Sequence, residues 1–373
     1  MKKIKVLPQF PHQFFYFTGL RIRRLLYTLS VRLVPSPIAV YEKAQGFWIS
    51  RAIVAACELN LADHLTSGAK NISELADLSN TNETNLYRLM RSLAGEGIFK
   101  EMQGKMFVNT RLSSALKEGE NSMKYMILHQ FGTTNMMLFT HFTECVRTGE
   151  GNPHKILGKE IFQYLEENPA RNMIYNKAMD NSSALSVMAL LSAYNFKGIK
   201  TLADIGGGHG ILLSGILEKY KGIRGILFDQ KHVIEQENQL LPDSSLQDRL
   251  IITSGNFFDD IPEGADAYLM KNVLHAFSDD DCVKLLRKIY SVMTTDGKLI
   301  ILETLICPGN TPFFGKLVDL QMMAGTEGGK ERTREEFTDL FTRSGFRLTK
   351  ITRTIAPFSV LEVRKNKNKF PPC

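Results

Sequence analysis

A run of glycines constrains this 373-residue chain more than any other feature: Gly206-Gly207-Gly208-His209-Gly210 stands between two apolar segments. The preceding segment, 201–205, has the length and apolar content of a buried strand. In the following segment, 211–217, apolar residues recur at helical spacing. Glycine allows the tight turn, and the helix that follows would present its N-terminal N–H groups to a ligand. The run therefore predicts a strand, a ligand-facing turn and a helix.

The spacing of the glycines and of the acidic residues around them indicates which class of ligand the turn would bind. Asp229 ends a second apolar strand beyond the turn, where a carboxylate can accept hydrogen bonds from the two hydroxyls of a ribose. The dinucleotide pattern G-x-G-x-x-G would need a glycine at Ile211. The pattern here is G-x-G-x-G, preceded by Asp204. This favours a nucleoside that carries a sulfonium and an amino-acid tail over a dinucleotide, and the glycines Gly206, Gly208 and Gly210 become candidate binding positions.

Strands and helices alternate from residue 198 to the end of the chain. The predicted strands are 201–205, 225–229, 250–254, 266–271, 298–303, 347–353 and 358–363. Such alternation predicts an α/β fold with a mostly parallel, seven-stranded sheet covered on both faces. In this fold ligands bind at the carboxyl ends of the strands.

The region 42–120 has helical periodicity followed by a short hairpin, which predicts a winged-helix-like unit. DNA binding is the functional alternative for such a unit. The helix that would enter the groove carries Arg88 and Arg91 but also Glu83, and the wing carries Glu101. This is a weak electrostatic match to DNA, so we expect packing within the protein and no nucleic-acid partner.

The first 41 residues are a separate basic feature, because they contain seven Lys or Arg residues and no acidic residue. The rest of the chain has 39 basic and 39 acidic residues. The basic, aromatic segment 14–34 is interrupted by arginines, so it predicts neither a secretion signal nor a membrane span. We expect a helix packed on the body or on a second subunit, with weak contact to an anionic membrane surface as the alternative.

Cysteine and histidine spacing argues against a metal. The five cysteines form no C-x-x-C pair, and the eight histidines show no H-E-x-x-H motif. We therefore expect no metal, no disulfide framework and a reducing, cytoplasmic location.

Polar residues follow several predicted strands. Asn256 and Phe257 follow the third strand, Lys271 and His275 follow the fourth, and Glu303 ends the fifth. A glycine-rich loop later in the chain contains Glu331. Imidazole suits a general base, and a carboxylate on its other nitrogen would fix the tautomer. The alternatives are a strand-capping histidine and a solvated loop glutamate.

Methionine and phenylalanine are frequent in the helical region 121–195. Such a stripe is usually core, but methionine also suits the wall of a pocket for a flat apolar molecule. The candidate pocket residues are Met136, Met179, Met322 and Met323.

Four motifs together resemble one family. They are Asp204-Ile-Gly-Gly-Gly-His-Gly, Phe228-Asp229, Leu274-His275-Ala-Phe-Ser-Asp-Asp-Asp-Cys and Gly328-Gly-Lys-Glu-Arg-Thr333. Over residues 38–364 the chain resembles the S-adenosylmethionine-dependent O-methyltransferases of the caffeic acid and acetylserotonin type. The resemblance implies catalytic roles for His275, Glu303 and Glu331. It implies that cofactor-binding residues include Ser183, Asp204, Gly206, Gly208, Gly210, Asp229, Asn256, Phe257 and Lys271.

The resemblance also implies an organisation and an activity. The predicted parts are a basic segment 1–41, a winged-helix-like dimerisation domain 42–120, a helical connector 121–195 lining the substrate pocket, a Rossmann-like catalytic domain 196–364 and a basic tail 365–373. A homodimer that methylates a hydroxyl of a small, aromatic acceptor is expected. The alternatives are N- or C-methylation in the same pocket, or a cofactor-binding DNA regulator. Three residues depart from the family pattern, Asn256, Ala276 and Phe277, and they bear on substrate choice.

Overall fold

The structure is a computed structural model that describes residues 13–119, 122–151, 153–236 and 246–366. Among these residues the chain divides into two compact units, and the division falls between Met136 and Met137. No helix in the described ranges is long and apolar enough to cross a membrane.

The first unit is mainly helical. Its helices are α1 (Gln13–Arg32), α2 (Ser36–Glu58), α3 (Leu61–His64), α4 (Ile72–Ser79), α5 (Glu83–Gly95), α6 (Arg111–Ser114) and α7 (Lys124–Phe131). Its strands are β1 (Lys70–Asn71), β2 (Phe99–Met102) and β3 (Met106–Asn109), which form an antiparallel sheet in the order β1-β3-β2. The Asn71 side chain caps α4 in a reciprocal capping box with Glu74, and Asn82 caps α5. The predicted hairpin thus forms, and β1 adds a third strand that the sequence pattern did not indicate.

The second unit contains the large sheet. A helix, α8 (Thr133–Phe139), spans the division. The helices that follow it are α9 (Phe142–Thr148), α10 (Pro153–Leu157), α11 (Ile161–Glu167), α12 (Pro169–Ala193), α13 (Ile211–Lys219), α14 (Lys231–Gln236), α15 (Asp279–Val292), α16 (Gly315–Gly325) and α17 (Arg334–Arg343). The strands are β4 (Thr201–Ile205), β5 (Arg224–Asp229), β6 (Leu250–Ser254), β7 (Ala267–Lys271), β8 (Lys298–Glu303), β9 (Phe346–Arg353) and β10 (Ser359–Lys365).

These seven strands lie in the order β6-β5-β4-β7-β8-β10-β9. Strands β4 to β8 are parallel, and β10 is antiparallel to both β8 and β9. The predicted α/β class with a mostly parallel seven-stranded sheet is confirmed. Strands such as β7 are buried on both faces, which explains their continuous apolar sequences. Because parallel strands end at one edge, Ile205, Asp229, Lys271 and Glu303 lie at the same edge of the sheet.

Candidate active site

The glycine turn lies directly against β5. Gly206 and Gly208 have φ angles of 71° and 56°, which favour glycine, and the Gly206 N–H donates to Phe228 O at 2.8 Å. A Cβ on Gly207 would lie 2.4 Å from Leu227 Cδ1, whereas a Cβ on Gly208 would have no atom within 4 Å. The turn is therefore close-packed on its sheet side and open at Gly208.

The Asp229 carboxylate holds this turn in place. One oxygen accepts the Gly208 N–H at 2.7 Å and the other accepts the Gln230 N–H at 2.7 Å. Burial raises the pKa of Asp229, and the two N–H donors oppose that shift. Each carboxylate oxygen has a second lone pair, so both remain able to accept from the hydroxyls of a ribose.

A cleft opens beside the turn, with an empty volume of about 1090 Å³ that includes solvent at its mouth. Eight of the predicted site residues line it: Met179, Ser183, Asp204, Gly206, Gly208, Asp229, Phe257 and Lys271. The structure thus brings together residues from α12, β4, β5, β7 and the loop after β6. Four aromatic side chains also line the cleft: Phe162, Tyr175, Phe257 and Phe277.

Other predicted positions lie elsewhere. Gly210 caps α13 with a φ of 68°. Asn256 is exposed, and its side-chain oxygen accepts the Phe258 N–H at 3.0 Å. Met322 and Met323 are half-buried on α16 and are not among the residues that line the cleft in the described chain. Met136 belongs to the first unit. The binding roles of these five residues stay predictions.

The sequence reasoning predicted only Ser183 of a polar face on α12 and missed the other three residues. Asn172, Asn176, Asp180 and Ser183 recur at spacings of three or four residues and all line the cleft. Asp180 lies 2.9 Å from Nδ1 of His209, so it joins α12 to the glycine turn. The recurrence of polar residues at helical spacing along α12 is the signal that could have found this face.

The cleft contains one unusual acid–base pair. Asp204 is buried, its Oδ2 has no hydrogen-bond partner, and burial raises its pKa to about 7. Burial lowers the pKa of Lys271 to about 8. A buried, unpaired carboxylate oxygen close to a helix N-terminus can accept a hydrogen bond from a cationic ligand. Together with the aromatic walls and Asp229, these groups fit an adenosyl sulfonium.

Strand β7 ends in a sharp turn that carries the candidate base. Asn272 has a φ of 52°, a conformation that asparagine tolerates better than most residues, and its N–H donates to Leu302 O at 3.1 Å. A 3₁₀ turn over Leu274–Ala276 follows. The Leu274 N–H donates to Oε1 of Glu303 at 2.9 Å, so the end of β8 positions the turn.

The structure brings His275, Glu331 and Glu303 together. Nδ1 of His275 lies 2.9 Å from Oε1 of Glu331 and 3.9 Å from Oε2 of Glu303. Burial alone would lower the pKa of His275, but the charges of Glu303 and Glu331 outweigh it, and the net direction is upward. Burial raises the pKa of Glu303, which His275 opposes. Because Nδ1 faces Glu331, Nε2 is the ring nitrogen that can take a proton from a substrate.

Arg332 holds the same turn from the opposite side, a role that the sequence reasoning did not assign. Its side chain is fully buried, and its guanidinium donates to Leu274 O at 2.7 Å and to Phe277 O at 2.9 Å. Its Nε donates to Asp279 at 2.9 Å. A buried arginine needs such partners, so this contact fixes the backbone on both sides of His275.

Within the part of the chain that the structure describes, two groups of side chains have a spacing that a metal would accept. The ligand atoms of His275, Glu303 and Glu331, and those of His154, Glu160 and Glu327, lie within 4.8 Å of one another in each group. The absence of a metal therefore stays a prediction.

The chain matches two family descriptions. Residues 139–347 match the O-methyltransferase domain, and residues 41–119 match the O-methyltransferase dimerisation domain. The first match covers the glycine turn, the cleft and the His275 cluster, and the second covers the small antiparallel sheet and its helices.

Individual proteins that resemble this chain belong to the same family as the two domain matches. The chain is 34% identical over 333 residues to the phenazine O-methyltransferase PhzM of Lysobacter antibioticus, which covers 89% of this chain and 97% of that protein. It is 33% identical over 331 residues to the mitomycin biosynthesis 6-O-methyltransferase of Streptomyces lavendulae, and the match covers 87% of this chain and 94% of that protein. The structure of human N-acetylserotonin methyltransferase in complex with S-adenosylmethionine superposes on this chain with a TM-score of 0.82 at 25% sequence identity. The match covers 90% of this chain and 99% of that protein. The chain therefore belongs to the S-adenosylmethionine-dependent O-methyltransferases that act on small molecules.

Proposed function

We propose that this enzyme methylates a hydroxyl of a small aromatic molecule and that His275 is its general base. The observation that carries the proposal is the 2.9 Å contact between Nδ1 of His275 and Glu331. The turn containing His275 is flanked by residues that line the cleft, Val273 on one side and Ala276 on the other.

S-adenosylmethionine, when bound, supplies an electrophilic methyl group. Asp229 would accept hydrogen bonds from its ribose hydroxyls, and Asp204 from its amino-acid tail. His275 would remove the acceptor's proton through Nε2 as the hydroxyl oxygen attacks. Glu331 would hold the imidazole in the required tautomer and stabilise the imidazolium that forms.

An aromatic acceptor fits the apolar side of the cleft. Phe162 and Phe277 stack with ring centroids 6.4 Å apart, and Met179 lines the same cleft. The relatives named for phenazine and N-acetylserotonin methylation support an aromatic acceptor class. Phe277 and Ala276 lie where the family has other residues, so we assign them to acceptor choice.

A homodimer in a reducing compartment completes the proposal. The dimerisation-domain match supports self-association, and two large apolar side chains within it, Phe47 and Trp48, are 53% and 61% exposed. Cys57, Cys145 and Cys282 are buried and are not joined in disulfides, which supports a cytoplasmic location. Cys373 lies outside the described residues.

His275→Ala tests the proposed base. Turnover should fall by about 10²–10⁴-fold with a weakly acidic phenol, while affinity for S-adenosylmethionine changes little. The loss should be smaller for phenols that are already ionised. His154→Ala is the matched control because His154 is exposed and its carboxylate partner is Glu327 rather than Glu331 or Glu303. Wild-type turnover by His275→Ala on a weakly acidic phenol would disprove base catalysis by His275.

A further inference from the structure

The first helix presents an exposed apolar surface. Four residues of α1 and Leu33, which directly follows the helix, form it, and we call them the α1 face: Ile22, Leu25, Leu26, Leu29 and Leu33. Their exposed fractions are 54%, 59%, 61%, 48% and 84%. Their spacing follows i, i+3, i+4, i+7 and i+11, which places them on one side of a helix with 3.6 residues per turn. Single exposed apolar side chains are ordinary, but four aligned on one helix with a fifth directly after it are not.

The α1 face points away from the neighbouring helix. Tyr27 lies on the other side of α1, where its hydroxyl accepts a hydrogen bond from Lys43 of α2. The Lys43 ammonium also stands 4.7 Å from the centre of the Tyr27 ring. The α1–α2 contact therefore uses the side of α1 opposite to the α1 face.

The charges around this surface have one sign. Arg21, Arg23, Arg24 and Arg32 are all exposed on α1. The first acidic residue of the chain is Glu42, which follows α1. An apolar stripe on a helix that carries arginines and no acidic residue matches the surface of an anionic membrane, which has negatively charged headgroups above an apolar interior.

Position in the chain separates α1 from the dimer-forming region. The dimerisation-domain match begins at residue 41, after the end of α1. A symmetric contact between two copies of α1 would also bring the arginines of one copy toward those of the other, because such a contact uses the same patch twice. A second copy of this chain therefore fits the α1 face less well than an anionic surface does.

We propose that α1 docks on an anionic lipid surface. The α1 face would enter the boundary between headgroups and acyl chains, and Arg21, Arg23 and Arg32, which flank the face, would contact acidic headgroups. Such binding is reversible and places the enzyme on the membrane without crossing it.

Co-sedimentation with vesicles tests this proposal on the full chain. Wild-type protein should sediment with vesicles of roughly three parts phosphatidylcholine to one part phosphatidylserine at low salt, and not with phosphatidylcholine alone. High salt should weaken the binding. Replacing Arg23 by Gln should lower the partition coefficient about fivefold.

Leu26→Glu should lower partitioning at least about tenfold, since it places a charge in the apolar stripe. Leu317→Glu is the matched control, because Leu317 is 67% exposed on α16, far from α1 in sequence. Thermal unfolding and cofactor affinity should be unchanged in both variants. Failure of the wild type to sediment with anionic vesicles, or equal binding by Leu26→Glu, would overturn the proposal. Conversion of a dimer to a monomer by Leu26→Glu would also overturn it and assign the α1 face to a second copy.

Discussion

Replacing Glu331 by glutamine should move the acid limb of the pH–rate profile to lower pH. The neutral imidazole is the form that accepts a proton, so activity rises as the pH passes upward through the pKa of His275. The carboxylates of Glu331 and Glu303 raise that pKa against the effect of burial. Removing one of these negative charges lowers the pKa of His275, so the acid limb of the profile moves to lower pH.

The size of the shift follows from the 2.9 Å contact. A hydrogen bond to a charged group contributes about 1.5–3 kcal/mol, whereas a neutral one contributes about 0.5–1.5 kcal/mol. Glutamine keeps an acceptor oxygen, so the loss is about 1–1.5 kcal/mol, or about one pH unit at 1.36 kcal/mol per unit. Glu303→Gln should shift the limb in the same direction, because Glu303 lies 3.9 Å from Nδ1. Both variants should lose less turnover than His275→Ala.

Initial rates with labelled S-adenosylmethionine, measured from about pH 5.5 to about pH 9.5, would show the limb. Two acceptors with different hydroxyl pKa values are needed, because ionisation of the acceptor also changes the rate with pH. Glu327→Gln is the control, since Glu327 is an exposed carboxylate in the same loop region as Glu331. An acid limb that stays in place in both Glu331→Gln and Glu303→Gln would refute the assignment of that limb to His275.

Three further predictions concern the cofactor cleft and the turn beside it. Asp229→Ala should weaken S-adenosylmethionine binding roughly tenfold to a hundredfold, and unchanged affinity in calorimetry would contradict the ribose assignment. Gly329→Ala should reduce turnover more than cofactor affinity, because its Cβ would lie 2.6 Å from His275 O; Gly222→Ala, which meets no atom within 4 Å, should change neither. A double-mutant cycle of Asp180→Asn and His209→Asn should give a coupling of about 0.5–3 kcal/mol in cofactor affinity, and strict additivity would show that their 2.9 Å contact does not support binding.

The segment from β4 to β5 could be predicted from sequence because its determinants are local. Apolar runs define both strands, and the glycines between them are required by positive φ angles at Gly206, Gly208 and Gly210. Asp229 was placed correctly at the end of β5 because the strand ends where the apolar run ends.

The order of the last three strands of the sheet, β8, β10 and β9, could not be predicted from the sequence in the same way. In the sheet β10 lies between β8 and β9, so β10 pairs with β8 although β9 comes between these two strands in sequence. Such pairing depends on contacts between distant residues, and periodicity in one segment does not encode it. Asp180 was missed for the same reason, because its contact is with His209, which is 29 residues away in sequence.

The structure brings the three side chains of the His275 cluster together, and their catalytic roles stay predictions. Two glutamates beside one imidazole leave buried carboxylate oxygens, Glu303 Oε2 and Glu331 Oε2, without hydrogen-bond partners. When the imidazole of His275 is neutral, the negative charge of these glutamates has no positive partner in the cluster. A buried charge without a partner is energetically unfavourable. When His275 takes a proton, the imidazolium offsets that charge. Under the mechanism that we propose, the cluster would be best satisfied once His275 holds the proton of the acceptor, and carboxylates fixed in advance around that positive charge would favour the step.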